Sequence, residues 1–195
     1  MRIVGGDFGG RRLKVPRTDA VRPTQDSVRE ALFSMLGAAV AGADFLDLFA
    51  GSGAVGLEAL SRGAKSATFV ELNRRHLAVV RENAAELAAG RDARFVAADC
   101  ARYLGAYSGD GFDIAFSDPP YALAAETGFA PALAAADERG VVRPGGLFVA
   151  EMAAAQGADS VPGWELVRDR VYGRTRLVIW RRSVLRMDIP PRNMI

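Results

Sequence analysis

Cysteine, histidine and lysine are scarce in this 195-residue chain. The single cysteine, Cys100, excludes an intramolecular disulfide framework and a cysteine-rich zinc site. The single histidine, His76, argues against a histidine metal cage, and no metal is expected. No long hydrophobic run exists. The longest stretch without a charge, Ala31 to Ala43, has 13 residues, against the roughly 20 that a membrane span needs. The start, Met1-Arg2-Ile3-Val4-Gly5-Gly6-Asp7, lacks the apolar region of a secretory signal. A reducing, cytoplasmic compartment and no membrane partner are the expectation. Lys14 and Lys65 are the only lysines, so 23 of the 25 basic residues are arginine, a side chain that forks onto phosphates and stacks on bases.

What is present is a globular composition. Half the residues are hydrophobic and a quarter charged, and the length suits one domain of roughly 150 residues with a small appendage. The net charge of +2 is unevenly placed. Residues 1–30 carry +3, residues 163–195 carry +5, and the stretch between them carries −6. Basic ends around an acidic centre suit a polyanion held by the ends and a cationic or polar ligand held in the middle.

The glycine-rich start, with Arg2-Ile3-Val4 and Arg11 to Val15 flanking Gly5 to Gly10, reads as a hairpin or a flexible arm. Val28, Ala31, Leu32, Met35 and Leu36 have helical spacing after Pro23-Thr24, and Gly37 stops it. From Asp44 onward strands alternate with helices. Strands are expected at Phe45–Phe49, Ser66–Val70, Ala93–Ala97, Phe112–Phe116 and Gly146–Ala150. Helices are expected at Ala54–Ser61, Asn73–Ala89 and Glu126–Glu138. Continuous apolar strands of this kind make a parallel sheet covered on both faces. Trp164–Val171 and Thr175–Arg182, meeting at Tyr172-Gly173-Arg174, read as an antiparallel pair closing that sheet. Trp164 and Trp180 are expected in the core. The strand ends carry Asp47, Glu71, Asp99, Asp118 and Glu151, at the edge where open α/β sheets bind ligands.

Gly51-Ser52-Gly53-Ala54-Val55-Gly56 fits G-x-G-x-x-G between a strand and a helix, with Glu71 20 residues beyond Gly51. By itself the motif does not separate a dehydrogenase from other nucleoside binders. Asp47, four residues before Gly51, does: a carboxylate there repels a pyrophosphate and suits a cation such as S-adenosylmethionine. Glu71 can accept from ribose hydroxyls. Asp99 can accept from the adenine amino group, beside the backbone N–H of Cys100. Asp118-Pro119-Pro120-Tyr121 then supplies a turn stripped of two backbone donors. The Asp118 carboxylate and the Pro119 carbonyl are two fixed acceptors for the two hydrogens of an exocyclic amino group. Tyr121 can stack on the base.

The Asp47 to Gly53 segment, Glu71, Asp99 and Asp118 to Tyr121 resemble the motif series of class I methyltransferases acting on exocyclic amino groups. Arg22-Pro23-Thr24-Gln25-Asp26-Ser27-Val28-Arg29-Glu30-Ala31-Leu32-Phe33 narrows the match. This segment, with Gly5 to Leu13, Gly51 to Ala64 and Tyr172 to Thr175, resembles the bacterial 16S rRNA guanine-N2 methyltransferases, the RsmD family. The resemblance implies an α/β fold: a doubly wound, Rossmann-like, seven-stranded, mostly parallel sheet with an antiparallel C-terminal hairpin. The expected organisation is a basic N-terminal β-hairpin arm over residues 1–20 and a methyltransferase domain over residues 21–195. The resemblance also implies S-adenosyl-L-methionine as cofactor and a guanine of 16S rRNA, free or in a small-subunit assembly particle, as acceptor.

Carried onto this chain, Asp47, Gly51, Gly53, Glu71, Asp99 and Cys100 are the cofactor residues, and Asp118, Pro119 and Tyr121 are catalytic. Arg11, Arg12, Lys14 and Arg22 meet the RNA. A monomer is expected. The competing readings are a DNA adenine-N6 or cytosine-N4 methyltransferase, for which the chain has no sizeable target-recognition domain, a dinucleotide-dependent oxidoreductase, and a non-catalytic RNA-binding module.

Overall fold

In the computed structural model, residues 1–16, 26–119 and 128–184 are described. Helix α1 (Asp26–Leu36) runs into a short 3-10 turn (Gly37–Val40). Strands and helices then alternate: β1 (Asp44–Leu48), α2 (Ala54–Ser61), β2 (Ser66–Glu71), α3 (Arg74–Glu86), β3 (Ala93–Ala97), α4 (Cys100–Gly105), β4 (Phe112–Ser117), α5 (Ala130–Glu138) and β5 (Val142–Ala153). The hairpin β6 (Trp164–Tyr172) and β7 (Thr175–Arg182) completes the element order.

The seven strands lie in the order β3-β2-β1-β4-β5-β7-β6. The first five are parallel, and β7 runs antiparallel to both β5 and β6. This is the doubly wound class I methyltransferase sheet expected from the sequence. Each face is covered separately. Val28, Leu32 and Phe33 of α1, Leu57 of α2 and Val80 of α3 pack with Phe45, Phe69, Ile114 and Ile179 on one face. Leu104 of α4, Leu133 and Ala136 of α5, Phe148 and the two tryptophans fill the other. Trp180 is 1% exposed and Trp164 8%, so both are core residues. No helix among the described residues is long and apolar enough to cross a membrane.

The differences from the expected elements have local causes. Helix α3 ends at Glu86, three residues before Ala89, because Ala88 takes a left-handed backbone, φ 57°. Glu126 lies outside the described residues. Gly128 is left-handed at φ 62°, so the helix starts only at Ala130. The Asp159 carboxylate caps that start, accepting from Phe129 N and Ala130 N at 2.7 and 2.8 Å. Strand β5 begins at Val142 rather than Gly146. Pro144-Gly145-Gly146 is absorbed as an irregularity, since the register against β4 jumps between Phe112↔Val142 and Ile114↔Leu147. Helix α4 has only six residues, too few to show a period, and the sequence reading passed over it.

The N-terminal segment is a hairpin held on the domain. Its backbone pairs through Ile3 N to Arg11 O (2.9 Å) and Leu13 N to Met1 O (3.1 Å), with Gly6 and Gly10 at positive φ in the turns. Ile3 and Leu13 are buried in the same cluster as α1, α2 and α3. Asp7 N and Phe8 N donate to Ser61, and Val4 N to the Glu58 carboxylate. Of the two alternatives, turns or a flexible arm, the described residues take the first. Residues 17–20 of the expected arm lie outside them.

Candidate active site

The parallel register brings the predicted acidic residues to one edge. Leu48 pairs with Val70 and with Ser117, Glu71 with Ala97, and Ser117 with Ala150. Glu71, Asp99 and Asp118 therefore stand at or just past the carboxyl ends of their strands, Asp47 one residue before the end of β1, and Glu151 level with Asp118 although β5 runs on to Ala153 rather than stopping at Ala150.

The glycine loop is built by its carboxylates. After β1 the chain turns sharply, with Phe49, Gly51 and Gly53 all at positive φ (61°, 56° and 79°). Gly53 precedes α2 as its N-cap and brings no side-chain cap. The missing acceptor comes from β1: Asp47 Oδ2 takes the Gly56 N–H at 2.9 Å, at the third helical residue. Gly56 is required there, because a Cβ would meet the Phe69 ring at 2.4 Å. Asp47 is 2% exposed. Burial pushes its carboxyl up to about 8, helped by the nearby Glu71 charge and opposed by the Gly56 N–H.

Glu71 closes the other side of the loop. Its Oε2 accepts from Gly51 N at 3.0 Å and its Oε1 from Asn73 N at 2.8 Å. An ionised carboxylate has about four acceptor positions, so both oxygens can still take ligand hydroxyls. His76 Nδ1 stands 3.9 Å from Glu71 Oε1, and its Nε2 is 3.2 Å from the Asn73 amide. This histidine steadies the carboxylate's surroundings and ligates nothing described.

Asp99 is exposed and is the N-cap of α4, its Oδ1 accepting from Arg102 N at 2.9 Å. Cys100 is the first residue of α4, so its N–H has no partner within the helix. Its thiol is buried, and burial pushes it up to about 12. It is a small core side chain and no nucleophile. Asp118 is half-buried and Pro119 buried, directly after β4. Pro120, Tyr121 and Arg22 lie outside the described residues. A cleft of about 410 Å³ opens along α4, lined by Ala98, Arg102, Tyr103, Ala106 and Tyr107; it contains none of the acidic site residues.

The proposed RNA cations of the hairpin rest against α3. Lys14 Nζ is 2.8 Å from Glu86 and 3.1 Å from Glu82, contacts that raise its pKa, and Arg11 donates to the Glu86 carbonyl at 2.8 Å. Arg12 is exposed. Arg29, counted among the basic N-terminal residues, is 0% exposed. It lies 3.4 Å from the equally buried Glu58 and 2.9 Å from Asp26, and it donates to the Arg2 carbonyl at 2.6 Å. It locks α1 to α2 and to the hairpin and is closed to any ligand.

Asn83 is the residue the sequence reading missed. Fully buried on α3, its amide nitrogen donates to Ser52 O and to Lys14 O, both at 3.0 Å, and its Oδ1 accepts from Lys14 N at 2.8 Å. One side chain thus ties the glycine loop, α3 and the N-terminal hairpin together. A polar residue inside the apolar face of a helix was its only signal.

Among the described residues, the acceptor-rich rim of Asp47, Glu71 and Asp99 fits a positively charged, phosphate-free nucleoside better than a dinucleotide. Comparison with known proteins agrees. The family model described as conserved hypothetical protein 95 matches residues 1–181. The chain is 38% identical, over 94% of its length and 90% of the relative's, to ribosomal RNA small subunit methyltransferase D of Escherichia coli. It is 31% identical to the Haemophilus influenzae protein of the same name, over 89% of each chain. The solved structure of yhhF from Escherichia coli superposes with a TM-score of 0.84 at 37% identity, covering 95% of this chain and 99% of that one. The chain belongs to this family, the RsmD methyltransferases.

Proposed function

We propose that this chain methylates the exocyclic N2 amino group of a guanine in 16S rRNA, of the guanine-966 type, using S-adenosyl-L-methionine. The observation that carries the reading is the placement of Asp118-Pro119 beside the Asp47–Glu71–Asp99 rim, at one edge of a sheet whose family relatives are named as small-subunit rRNA methyltransferases.

When bound, the cofactor supplies an electrophilic methyl group on a positively charged sulfur. The Asp47 carboxylate, with the loop it holds through Gly56, faces that charge. Glu71 binds the ribose hydroxyls. Asp99 and the Cys100 N–H take the adenine edge. Asp118 and the Pro119 carbonyl accept the two amino hydrogens of the base, which turns the nitrogen lone pair out of conjugation and toward the methyl. Tyr121 stacks on the base. With the methyl group supplied by the cofactor held there and the electron pair kept on its sulfur, the Asp118 carboxylate, accepting an amino N–H, would pass the released proton to solvent. Rate comes from alignment of nitrogen, carbon and sulfur, a positioning effect worth up to about 7–11 kcal/mol. Residues 1–20 act as one functional unit with Arg22, in which Arg11, Arg12 and Lys14 meet phosphates while residues 3–14 stay packed on α2 and α3.

The test is a map of N2-methylguanosine in 16S rRNA from cells with and without the gene, followed by methyl transfer in vitro to naked rRNA and to small-subunit assembly particles. Loss of one N2-methylguanosine in the deletion, restored by the wild-type gene, is expected. An unchanged map overturns the substrate assignment.

A further inference from the structure

The C-terminal hairpin ends at the active-site edge. Ala150 pairs with Ser117 on one side and with Val178 on the other, and Val178 pairs with Asp169. Beyond that row, Ala153 pairs with Thr175 and Thr175 with Tyr172. The turn Tyr172-Gly173-Arg174 therefore projects past the carboxyl end of β5, on the same edge as Asp118. It is a fixed feature, since Arg174 O accepts from Ala154 N at 3.0 Å and Gly173 takes the left-handed turn at φ 60°.

Among the described residues, strand β6 is one of the two edges of the sheet. Arg168, Arg170, Tyr172 and Arg174 are exposed along it. Cross-strand partners share a face: Arg168, Arg170 and Tyr172 stand opposite Ile179, Leu177 and Thr175, on the face covered by α1. Charges on an edge strand can serve only to prevent edge-to-edge pairing, a task for which either sign suffices. Here the signs have been sorted. Asp169 is held by Arg176 at 2.7 Å, and Glu165 lies 3.8 Å from Arg181, so arginines of β7 occupy both acids of β6. Among the described residues, Arg168, Arg170 and Arg174 form no ion pair. Arg168 and Arg170 each donate only to a neighbouring backbone carbonyl, Val167 O and Asp169 O. Each guanidinium has five N–H donors, so most of each fork remains available.

We infer that the β6 edge and its turn, through Arg168, Arg170 and Arg174 with Tyr172 among them, form a docking surface for the phosphate backbone of the substrate RNA strand flanking the target base. This rests on the rRNA reading above. Three inter-strand steps of about 4.8 Å separate β4 from β6, so Arg170 stands about 14 Å across the sheet from the row that ends in Asp118. At about 3.4 Å per stacked residue of a strand, roughly four nucleotides cover that distance. The hairpin cations differ in that Lys14 and Arg11 are engaged on α3, whereas these three already face solvent.

The experiment compares wild type with the Arg168→Gln, Arg170→Gln, Arg174→Gln triple variant. A control carries the same charge change near the amino-terminal ends of β2, β3 and β5 (Lys65→Gln, Arg91→Gln, Arg139→Gln), the end of the sheet opposite the site. Binding of a 16S rRNA fragment is followed through a salt titration, together with S-adenosylmethionine binding and the KM and kcat of methylation. The β6 variant is expected to lose tenfold or more in RNA affinity near physiological salt. Its log–log salt slope should flatten by about two, since each phosphate contact on a single strand contributes about 0.7. KM for RNA should rise while kcat and cofactor binding hold, and the opposite-end control should match wild type. Tyr172→Ala should weaken binding without changing the slope. Equal slopes and affinities in wild type and the β6 variant overturn the inference and leave the rRNA reading standing. So does a wild-type dimer that the substitutions dissolve, because the edge would then serve self-association. A wild type that neither binds nor methylates 16S rRNA sinks both.

Discussion

Asp47 on β1 caps the N-terminus of α2 from outside the helix, its Oδ2 accepting the Gly56 N–H at 2.9 Å. The same side chain is therefore a structural acceptor and, once ionised, the anion proposed to stand beside the cofactor.

A pH dependence follows. An unfolded aspartate ionises near 3.9, whereas burial sets Asp47 at about 8. The folded state holds this proton more tightly, so the stability it contributes is fully present below about pH 4 and is lost as pH rises through about 8. Denaturant unfolding of the ligand-free protein at pH 5, 7 and 9 should show the decline. Asp47→Asn, which keeps an acceptor for Gly56 and cannot ionise, should flatten it. Affinity for S-adenosylmethionine should run the other way in wild type, climbing toward pH 8 as the cation meets an ionised partner, and Asp47→Asn should abolish that climb.

Asp118→Ala should cut saturated turnover by about 10²-fold or more, the usual loss on removing one preorganised electrostatic contact. Isothermal titration of the same variant with S-adenosylmethionine should give a near-wild-type affinity. Turnover close to wild type would show that Asp118 does not hold the amine. If the proposed stacking by Tyr121, rather than its hydroxyl, holds the base, Tyr121→Phe should be mild and Tyr121→Ala severe.

Asp99 permits a separation of fold from function. Asp99→Ala loses the α4 cap, at about 1 kcal/mol, together with the proposed adenine contact. Asp99→Asn keeps the cap, since asparagine caps as well as aspartate, but exchanges one acceptor oxygen for a donor. Thermal melts should place Asp99→Asn near wild type and Asp99→Ala below it, while both bind the cofactor weakly. Glu71→Ala should join them in affinity, with kcat at saturation reduced less than binding. Unchanged affinity with a collapsed kcat would show that neither residue belongs to the cofactor.

Asn83→Ala removes three hydrogen bonds and leaves Ser52 O and the Lys14 backbone short of partners. At about 1 kcal/mol per bond, plus the penalty for buried groups left unsatisfied, a loss of about 3 kcal/mol or more is expected. Hydrogen exchange should show faster opening of the N-terminal hairpin and the glycine loop together. Faster exchange in the hairpin alone would mean that the loop stands without it.

Most of the sheet was legible because buried parallel strands announce themselves as short apolar runs. Ala93–Ala97, Ala54–Ser61 and Thr175–Arg182 match their expected bounds. The errors fall where a distant side chain or an unusual backbone sets an end: Asp159 and Gly128 at the start of α5, and Ala88 after α3. The acidic rim was legible because strand ends in a parallel sheet share an edge. The second role of each acid was not. That Asp47 caps α2, Glu71 binds Gly51 N–H and Asp99 caps α4 depends on partners that spacing does not reveal. Charge counting likewise treated Arg29 and Lys14 as equals of Arg12, although one is buried and one is paired.

The bonds of Asn83 also order events in time. They join residue 83 to residue 14 and residue 52, sequence separations of 69 and 31, and contacts that distant form slowly because a long loop must close first. During synthesis the hairpin emerges before α3, the strand-flanking helix it must grip, has been made. Ile3 and Leu13, which finish buried in a cluster that includes Leu77, Val80 and Ala84 of α3, therefore reach their final packing only after α3 has left the ribosome. The segment that precedes α1 in the chain is thus among the last to be set in place.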